Sequence, residues 1–396
     1  MTPRVVTGVG VVSALGIGRA AFFEAMRAGT RAADDARPIE TFDASRYAGG
    51  GPRAAEVRGF DATRYLGDKG LRSLDRLTKL LVVGARLALH DAGLKRDGAW
   101  VEPPGDAATR PWTDRVGLVV SNAYGSLEAI HELYRVAVLE DARYINPSRF
   151  PLTVSNTAAG YVSIWEDLHA LNVTVSDGNC GALDAVACAD VLLDDARADV
   201  LLVGGAEALS EPLFLALHRL GTLGADGTCV GEGAALLALE LPEGASARGA
   251  QPLAEVVGYG TAFVPPDHPA TLFHAAPEPL QRAIESALAD ARVRAQDVDV
   301  VVSGISGLRV FDEAELLAID RSALDDACVV APKWALGETL GAGGAMGMLS
   351  AIAYLREGAR SHVVRGTLRS EVRTALVTST GYYGNASALV MRASSR

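Results

Sequence analysis

Several common chemistries are missing from this chain. Its four cysteines, Cys180, Cys188, Cys229 and Cys328, form no Cys-x-x-Cys pair and share no regular spacing. That excludes a zinc ribbon or a disulfide frame and leaves reduced thiols. Seven histidines make no His-x-x-x-His, His-x-His or His-Glu-x-x-His arrangement, so no metal is expected. Neither Gly204-Gly205 nor the Gly341–Gly344 stretch has a Gly-Lys-Ser/Thr ending or Gly-x-Gly-x-x-Gly spacing. Phosphate-loop and dinucleotide readings fail, and close backbone packing at turns explains these glycines better. Positive charge is in deficit, with 37 Lys and Arg against 48 Asp and Glu and a formal charge of −11. That argues against nucleic acid or an anionic membrane as the main partner. No apolar run reaches membrane-spanning length without a charge. The opening Met-Thr-Pro-Arg-Val-Val-Thr-Gly-Val-Gly reads directly as a strand, without the features of a signal peptide. A cytoplasmic protein is expected.

What is present is an alternation of strands and amphipathic helices, ordered as a repeat. Arg4-Val-Val-Thr-Gly-Val-Gly and Leu253-Ala-Glu-Val-Val-Gly-Tyr-Gly are both strands punctuated by glycine. A helical stretch at Leu77–Leu94 precedes a strand from Arg115 to Ser121, and one at Leu280–Val293 precedes a strand at Val298–Ser303. Two related α/β halves follow, 1–249 and 250–396, with their seam in the segment Pro242–Pro252 and sheets of parallel strands covered on both faces. Loops are expected at Asp97–Pro111 and Asp141–Pro151. The acidic run Asp190, Asp194 and Asp195 reads as a solvated helix face.

Chemistry concentrates at one corner. The β-branched run Leu171–Ser176 breaks at Asp177-Gly178-Asn179, and an Ala-rich helix opens at Cys180-Gly-Ala-Leu-Asp-Ala. A strand–turn–helix corner offers its side chain to unpaired helix N–H groups, which favour developing negative charge. It is a good place for a thiolate, but the corner residue is Asn179, an amide that cannot ionise or form a thioester. Cys180 lies one residue past the corner, rotated about 100° around the helix, with no histidine suggested beside it.

Together these segments resemble the ketosynthases, the β-ketoacyl-carrier-protein synthases of the thiolase fold. The matching pieces are Val6-Thr-Gly-Val-Gly10, Asn156-Thr-Ala-Ala-Gly160, Gly204-Gly-Ala-Glu207, Gly231-Glu-Gly-Ala234, Asp312-Glu-Ala-Glu315 and Lys333-Trp-Ala-Leu-Gly337. The resemblance implies an α/β, duplicated five-layer αβαβα architecture. It also implies a Cys that takes the acyl chain and two His that stabilise the enolate of a decarboxylating malonyl thioester. Those three positions carry Asn179, Gly304 and Glu338 here. A carboxylate about 4 Å from an enolate would repel it by roughly 4 kcal/mol at an effective dielectric near 20, unless Lys333 neutralises it.

Among ketosynthases the chain resembles the chain-length factor, the β subunit of type II polyketide synthases, in which Gln often replaces the Cys before a Gly-Leu-Asp-Ala stretch. The implied partners are a catalytic ketosynthase, in a heterodimer that pairs the strand Leu171–Ser176 with its counterpart, and an acyl carrier protein. Phosphopantetheine would arrive on that carrier protein, so no resident cofactor is implied. Candidate tunnel residues are Tyr124, Ala129, Glu132, Leu133 and Val136, with Tyr382 and Tyr383 at the gate; Lys333, Asp312 and Glu315 are supporting residues. Two departures stand out. Leu213–Gly231 is shorter than the family's loop with its Pro-Phe-Asp element, and the Gly-Phe-Gly gate becomes Gly381-Tyr382-Tyr383-Gly384. The alternative is an altered enzyme: an acyltransferase or hydrolase using Cys180, or a decarboxylase using Asn179.

Overall fold

Ten strands in two matching runs carry the fold. The computed structural model describes residues 2–32, 37–47, 53–103, 110–223, 229–268, 270–271 and 273–394. In the first run, β1 (Arg4–Ser13), β2 (Val116–Ser121), β3 (Asn172–Val175), β4 (Val200–Glu207) and β5 (Gly233–Glu240) lie in the order β3-β2-β4-β5-β1. The second run has β6 (Ala254–Phe263), β7 (Val300–Val302), β8 (Cys328–Val330), β10 (Thr374–Thr380) and β11 (Asn385–Ala393). Their order is β8-β7-β10-β11-β6, and a short β9 (Val363–Arg365) adds to the edge beside β8. The order is the same twice. Three antiparallel pairs, Arg4–Val6 against Ala254–Val256, join the runs through β1 and β6.

The sheets are mixed, which corrects the expectation of parallel strands. β2 runs parallel to β3 and β4, and β7 parallel to β8 and β10, but β5, β1, β11 and β6 pair antiparallel. The reason is connection length: only Gly381–Gly384 separates β10 from β11, far too short for a parallel crossover.

Helices complete five layers. In chain order they are α1 (Arg19–Ala28), α2 (Arg76–Asp91), α3 (Leu127–Val136), α4 (Thr157–Glu166), α5 (Gly181–Asp194), α6 (Glu211–Arg219), α7 (Pro277–Ala291), α8 (Arg309–Arg321) and α9 (Gly343–Leu355). α2 and α4 bury their apolar faces on one side of the first sheet, against Leu118 and Val120. α7 and α8 cover the second sheet's outer face, against Val301 and Val329. Between the sheets lie α5 and α9, packed with Val119, Val203, Val300 and Val302. Period-2 alternation along each strand thus feeds two cores at once. α9, which is apolar on every side, is the buried central helix its composition requires.

The glycine-punctuated strands have a packing cause. A methyl group on Gly10 would stand 1.9 Å from the Gly84 carbonyl of α2, and one on Gly260 would stand 2.2 Å from the Ala283 carbonyl of α7. Both helices therefore lie directly on their strands, and the same device recurs in each half.

Two surface expectations need amendment. Asp190 and Asp194 are not a merely solvated face: they hold the fully buried Arg4 at 2.6 and 2.5 Å. Asp141–Pro151 contains short 3-10 turns at Ala142–Tyr144 and Pro147–Thr153. Residues 104–109 of the Asp97–Pro111 loop, and 224–228 of the shortened Leu213–Gly231 stretch, lie outside the described residues.

Candidate functional site

The corner forms as its sequence dictates. β3 ends at Val175, Gly178 takes a left-handed φ of 53°, and a 3-10 turn at Gly178–Cys180 runs into α5. Asn179 is buried. Its amide donates to the Thr380 carbonyl at 3.3 Å, and the Ser379 hydroxyl donates to its own carbonyl at 2.7 Å. The end of β10 therefore holds the corner from the other half of the molecule.

Cys180 is fully buried and its thiol lies 3.5 Å from the Ser379 carbonyl. Burial, then the charges of Asp184 and Asp177, raise it well above the ordinary thiol range. A nucleophile needs an accessible thiolate, and this sulfur has neither access nor a stabilised anion. Cys180 instead packs as a small core residue.

Glu338 follows a short helix, Lys333–Leu336, and is buried with its carboxylate 2.8 and 3.0 Å from Lys333 Nζ. The Leu340 N–H donates to it at 3.0 Å. The carboxylate that the sequence places at a histidine position is thus neutralised by an ion pair. Gly304 has no side chain to offer; its N–H donates to Glu315 at 2.8 Å, and a methyl group there would meet the same carboxylate at 3.1 Å. Glu315 also accepts from Thr378 Oγ1, and Asp312 accepts from the Ser306 and Gly307 N–H groups. Burial pushes both carboxyls upward. Asp312 and Glu315 therefore shape the loop after β7 and do not line the cavity.

That cavity, about 300 Å³, is bounded by Asn179, Tyr124, Tyr382, Tyr383, Leu340 and Asn385. Tyr382 is nearly buried, its ring 5.5 Å from Phe273 and 5.1 Å from Phe311. Tyr383 is exposed at the mouth. The proposed tunnel set is divided by the structure. Tyr124, Tyr382 and Tyr383 border this cavity, whereas Glu132 and Val136 border a separate hollow of about 370 Å³ between α3 and the start of α6. Ala129 is buried and Leu133 half-buried, and neither borders these two spaces. The division arises because α3 turns only part of its circumference toward Thr41, Phe42 and Pro212.

Two buried acids escaped the sequence reading. Glu207 accepts from the N–H groups of Ala123 at 2.7 Å, Gly341 at 3.3 Å and Tyr124 at 3.4 Å, which ties together the loops carrying Tyr124 and Leu340. Burial pushes its carboxyl up to about 7, against the pull of those N–H donors. Beneath the corner, Asp184 accepts from Tyr259 and Ser387, each at 2.6 Å, and burial together with Asp177 raises it to about 6. The Gly-Gly-Ala-Glu motif contained the first signal, but only the fold shows which loops that glutamate gathers.

Among the described residues no group of three or more His, Cys, Asp or Glu could hold a metal ion. No helix among them is long and apolar enough to cross a membrane.

With this geometry in view, the likeness to known proteins is extensive. Residues 1–244 match the family described as β-ketoacyl synthase, N-terminal domain, and residues 253–365 its C-terminal domain. The chain is 29% identical over 380 residues to 3-oxoacyl-(acyl-carrier-protein) synthase 2 of Coxiella burnetii, covering 89% of this chain and 86% of that protein. It is 30% identical over 369 residues to nodulation protein E of Rhizobium leguminosarum bv. trifolii, with coverages of 89% and 86%. The solved ishigamide ketosynthase/chain length factor superposes with a TM-score of 0.86 at 25% identity, covering 100% of both chains. The chain belongs to the β-ketoacyl synthase family and has the thiolase fold of that family.

Proposed function

We propose that this chain is a chain-length factor: a subunit without condensing activity that pairs with a catalytic ketosynthase and shapes the space for a growing polyketide. The observation that carries this reading is the buried Glu338–Lys333 pair, 2.8 Å apart, where an imidazole would have to stabilise an enolate. Proton donation to a forming enolate requires a donor there. Here the local positive charge is already taken by a carboxylate. Asn179 removes covalent acyl capture as well.

Surface chemistry supports a partner. β3 ends its sheet, and among the described residues nothing pairs its outer edge. Nearby segments expose Tyr134, Val138, Leu139, Tyr144, Phe150 and Ile164. An open edge together with exposed apolar side chains is a liability that a protein partner removes. In this reading the partner is the Cys-bearing ketosynthase, and an acyl carrier protein delivers the phosphopantetheine-bound acyl group. The solved structure that superposes on this chain with a TM-score of 0.86 is that of a ketosynthase/chain length factor, which supports this reading.

The test is co-expression with a Cys-bearing type II ketosynthase. The expected result is a stable one-to-one complex that elongates malonyl units from a carrier protein, while the chain alone does not. Condensation by the purified chain unaided, or failure to form a complex or support elongation with its cognate ketosynthase, would overturn the proposal.

A further inference from the structure

One histidine is caught between two carboxylates at the entry to the open strand. β3 is reached from α4 through the connector 167–171. His169 lies in that connector, its Nδ1 3.1 Å from Oδ1 of Asp114 and its Nε2 2.9 Å from Oδ1 of Asp167. Asp114 ends the 3-10 turn Trp112–Asp114 ahead of β2, and Asp167 closes α4 with a left-handed φ of 58°. The His169 N–H donates to the Thr113 carbonyl at 2.8 Å, and the Leu168 N–H donates to the Ser163 carbonyl at 2.9 Å. Ring and backbone thus hold the same connector. The other charges packed around it are already committed. Arg115 pairs with Asp199, Arg86 and Lys95 both pair with Glu166, and Arg110 donates to the Asp114 carbonyl. Among the described residues, Asp114 and Asp167 form their ion pairs with His169 alone.

Both ring nitrogens therefore face a carboxylate oxygen. A neutral imidazole has one N–H, so its bare nitrogen would turn a lone pair on one of the two acids. The imidazolium carries a donor on each side. We infer that His169 is a pH-sensitive clip on the pairing edge: as an imidazolium it joins Asp114 to Asp167 and fixes the connector ahead of β3, and as a neutral ring it releases one of them. This deepens the chain-length-factor reading and rests on it, since that reading makes β3 the strand offered to a partner. The contact with Asp114 first, then the charge of Asp167, raises His169 above the ordinary histidine range. The clip is complete below about pH 6.5, where an unperturbed histidine titrates, and is lost as pH climbs through the raised value. All three side chains are about half exposed. Water screens them, so the clip tunes the order of this edge and does not decide the fold.

Amide exchange in the full chain reads the clip. After correction for the pH dependence of intrinsic exchange, the Leu168 and His169 amides should be roughly two- to fivefold better protected at pH 5.5 than at pH 8.0. His169→Gln, which stays polar but cannot carry charge, should remove most of that difference. A proton NMR titration of the His169 ring should show a midpoint above that of an unpaired histidine, and Asp114→Asn should lower it. The clip is overturned if protection is equal at both pH values, if His169→Gln keeps the full difference, or if Asp114→Asn leaves the midpoint unchanged. Pairing with a Cys-bearing ketosynthase gives the last readout. Affinity should be roughly two- to fivefold higher at pH 6.0 than at pH 8.0, and less pH-dependent in His169→Gln. An identical affinity ratio in the natural and variant complexes would overturn control of pairing by the clip. Exchange and titration use this chain alone, so absence of any complex would sink the chain-length-factor reading and leave the clip itself measured.

Discussion

At the scale of single residues, the chemistry of this site is set by which charges are paired. Glu338 and Lys333 are both nearly buried, and each satisfies the other. Removing one partner leaves a buried charge uncompensated, a change that typically costs about 3 kcal/mol or more. Lys333→Met should therefore lower the urea midpoint of unfolding substantially, and Lys333→Met/Glu338→Gln should cost less than Lys333→Met by itself. An additive pair of losses would show that the two residues do not act as a unit. Glu207 and Asp184 predict the pH response. Their carboxyls are raised to about 7 and about 6 when folded, so the native state holds protons that the unfolded chain has released. Their stabilisation is complete below about pH 4 and disappears as pH climbs toward 7, amounting to roughly 3 kcal/mol for Glu207. Denaturation should be harder at pH 5.5 than at pH 7.5, and Glu207→Gln should flatten that difference. An unchanged pH slope in Glu207→Gln would remove this carboxyl from the account.

Among elements, the close approach of helix to strand is decisive. Gly10→Ala and Gly260→Ala place a methyl group against a helix carbonyl at 1.9 and 2.2 Å, and backbone cannot yield as a flexible side chain does. Each should destabilise by about 2 kcal/mol or more in urea unfolding. Gly160→Ala, in α4 with nothing within 4 Å of the added methyl, should instead stabilise the isolated chain by roughly 0.5–1 kcal/mol. Equal effects at all three positions would refute the packing explanation. That the two damaging positions occupy matching places in β1 and β6 is the structural meaning of the repeat. The same pattern of small residues allows the same helix-on-strand contact twice.

For the whole molecule, what matters is which surfaces are left uncovered. The outer helices seal both sheets, yet β3 has an open edge and the α3-to-α4 surface exposes a run of apolar side chains. Val138→Asp/Leu139→Asp alters exposed groups alone, so the isolated chain's melting temperature should stay within a degree or two. Co-purification with a catalytic ketosynthase should be lost, because burying two carboxylates in an interface is strongly unfavourable. Retained pairing would move the interface elsewhere.

The amino-acid sequence by itself determined the duplicated α/β order and the strand–turn–helix corner. These depend on local periodicity and on residue identity, both of which survive in one dimension. It also pointed to Lys333 as the counter-charge of Glu338, since five residues of a tight helix and turn bring them together. Only the tertiary structure decided the rest. It reversed strands β5 and β11, sank Cys180 out of reach, and parted Glu132 and Val136 from the tyrosines of the gate. It also brought Tyr382 and Asn179, more than 200 residues apart in the chain, to one cavity. Contacts of that kind depend on how two sheets stack around α5 and α9, and no spacing along the chain encodes which side chains then face one cavity.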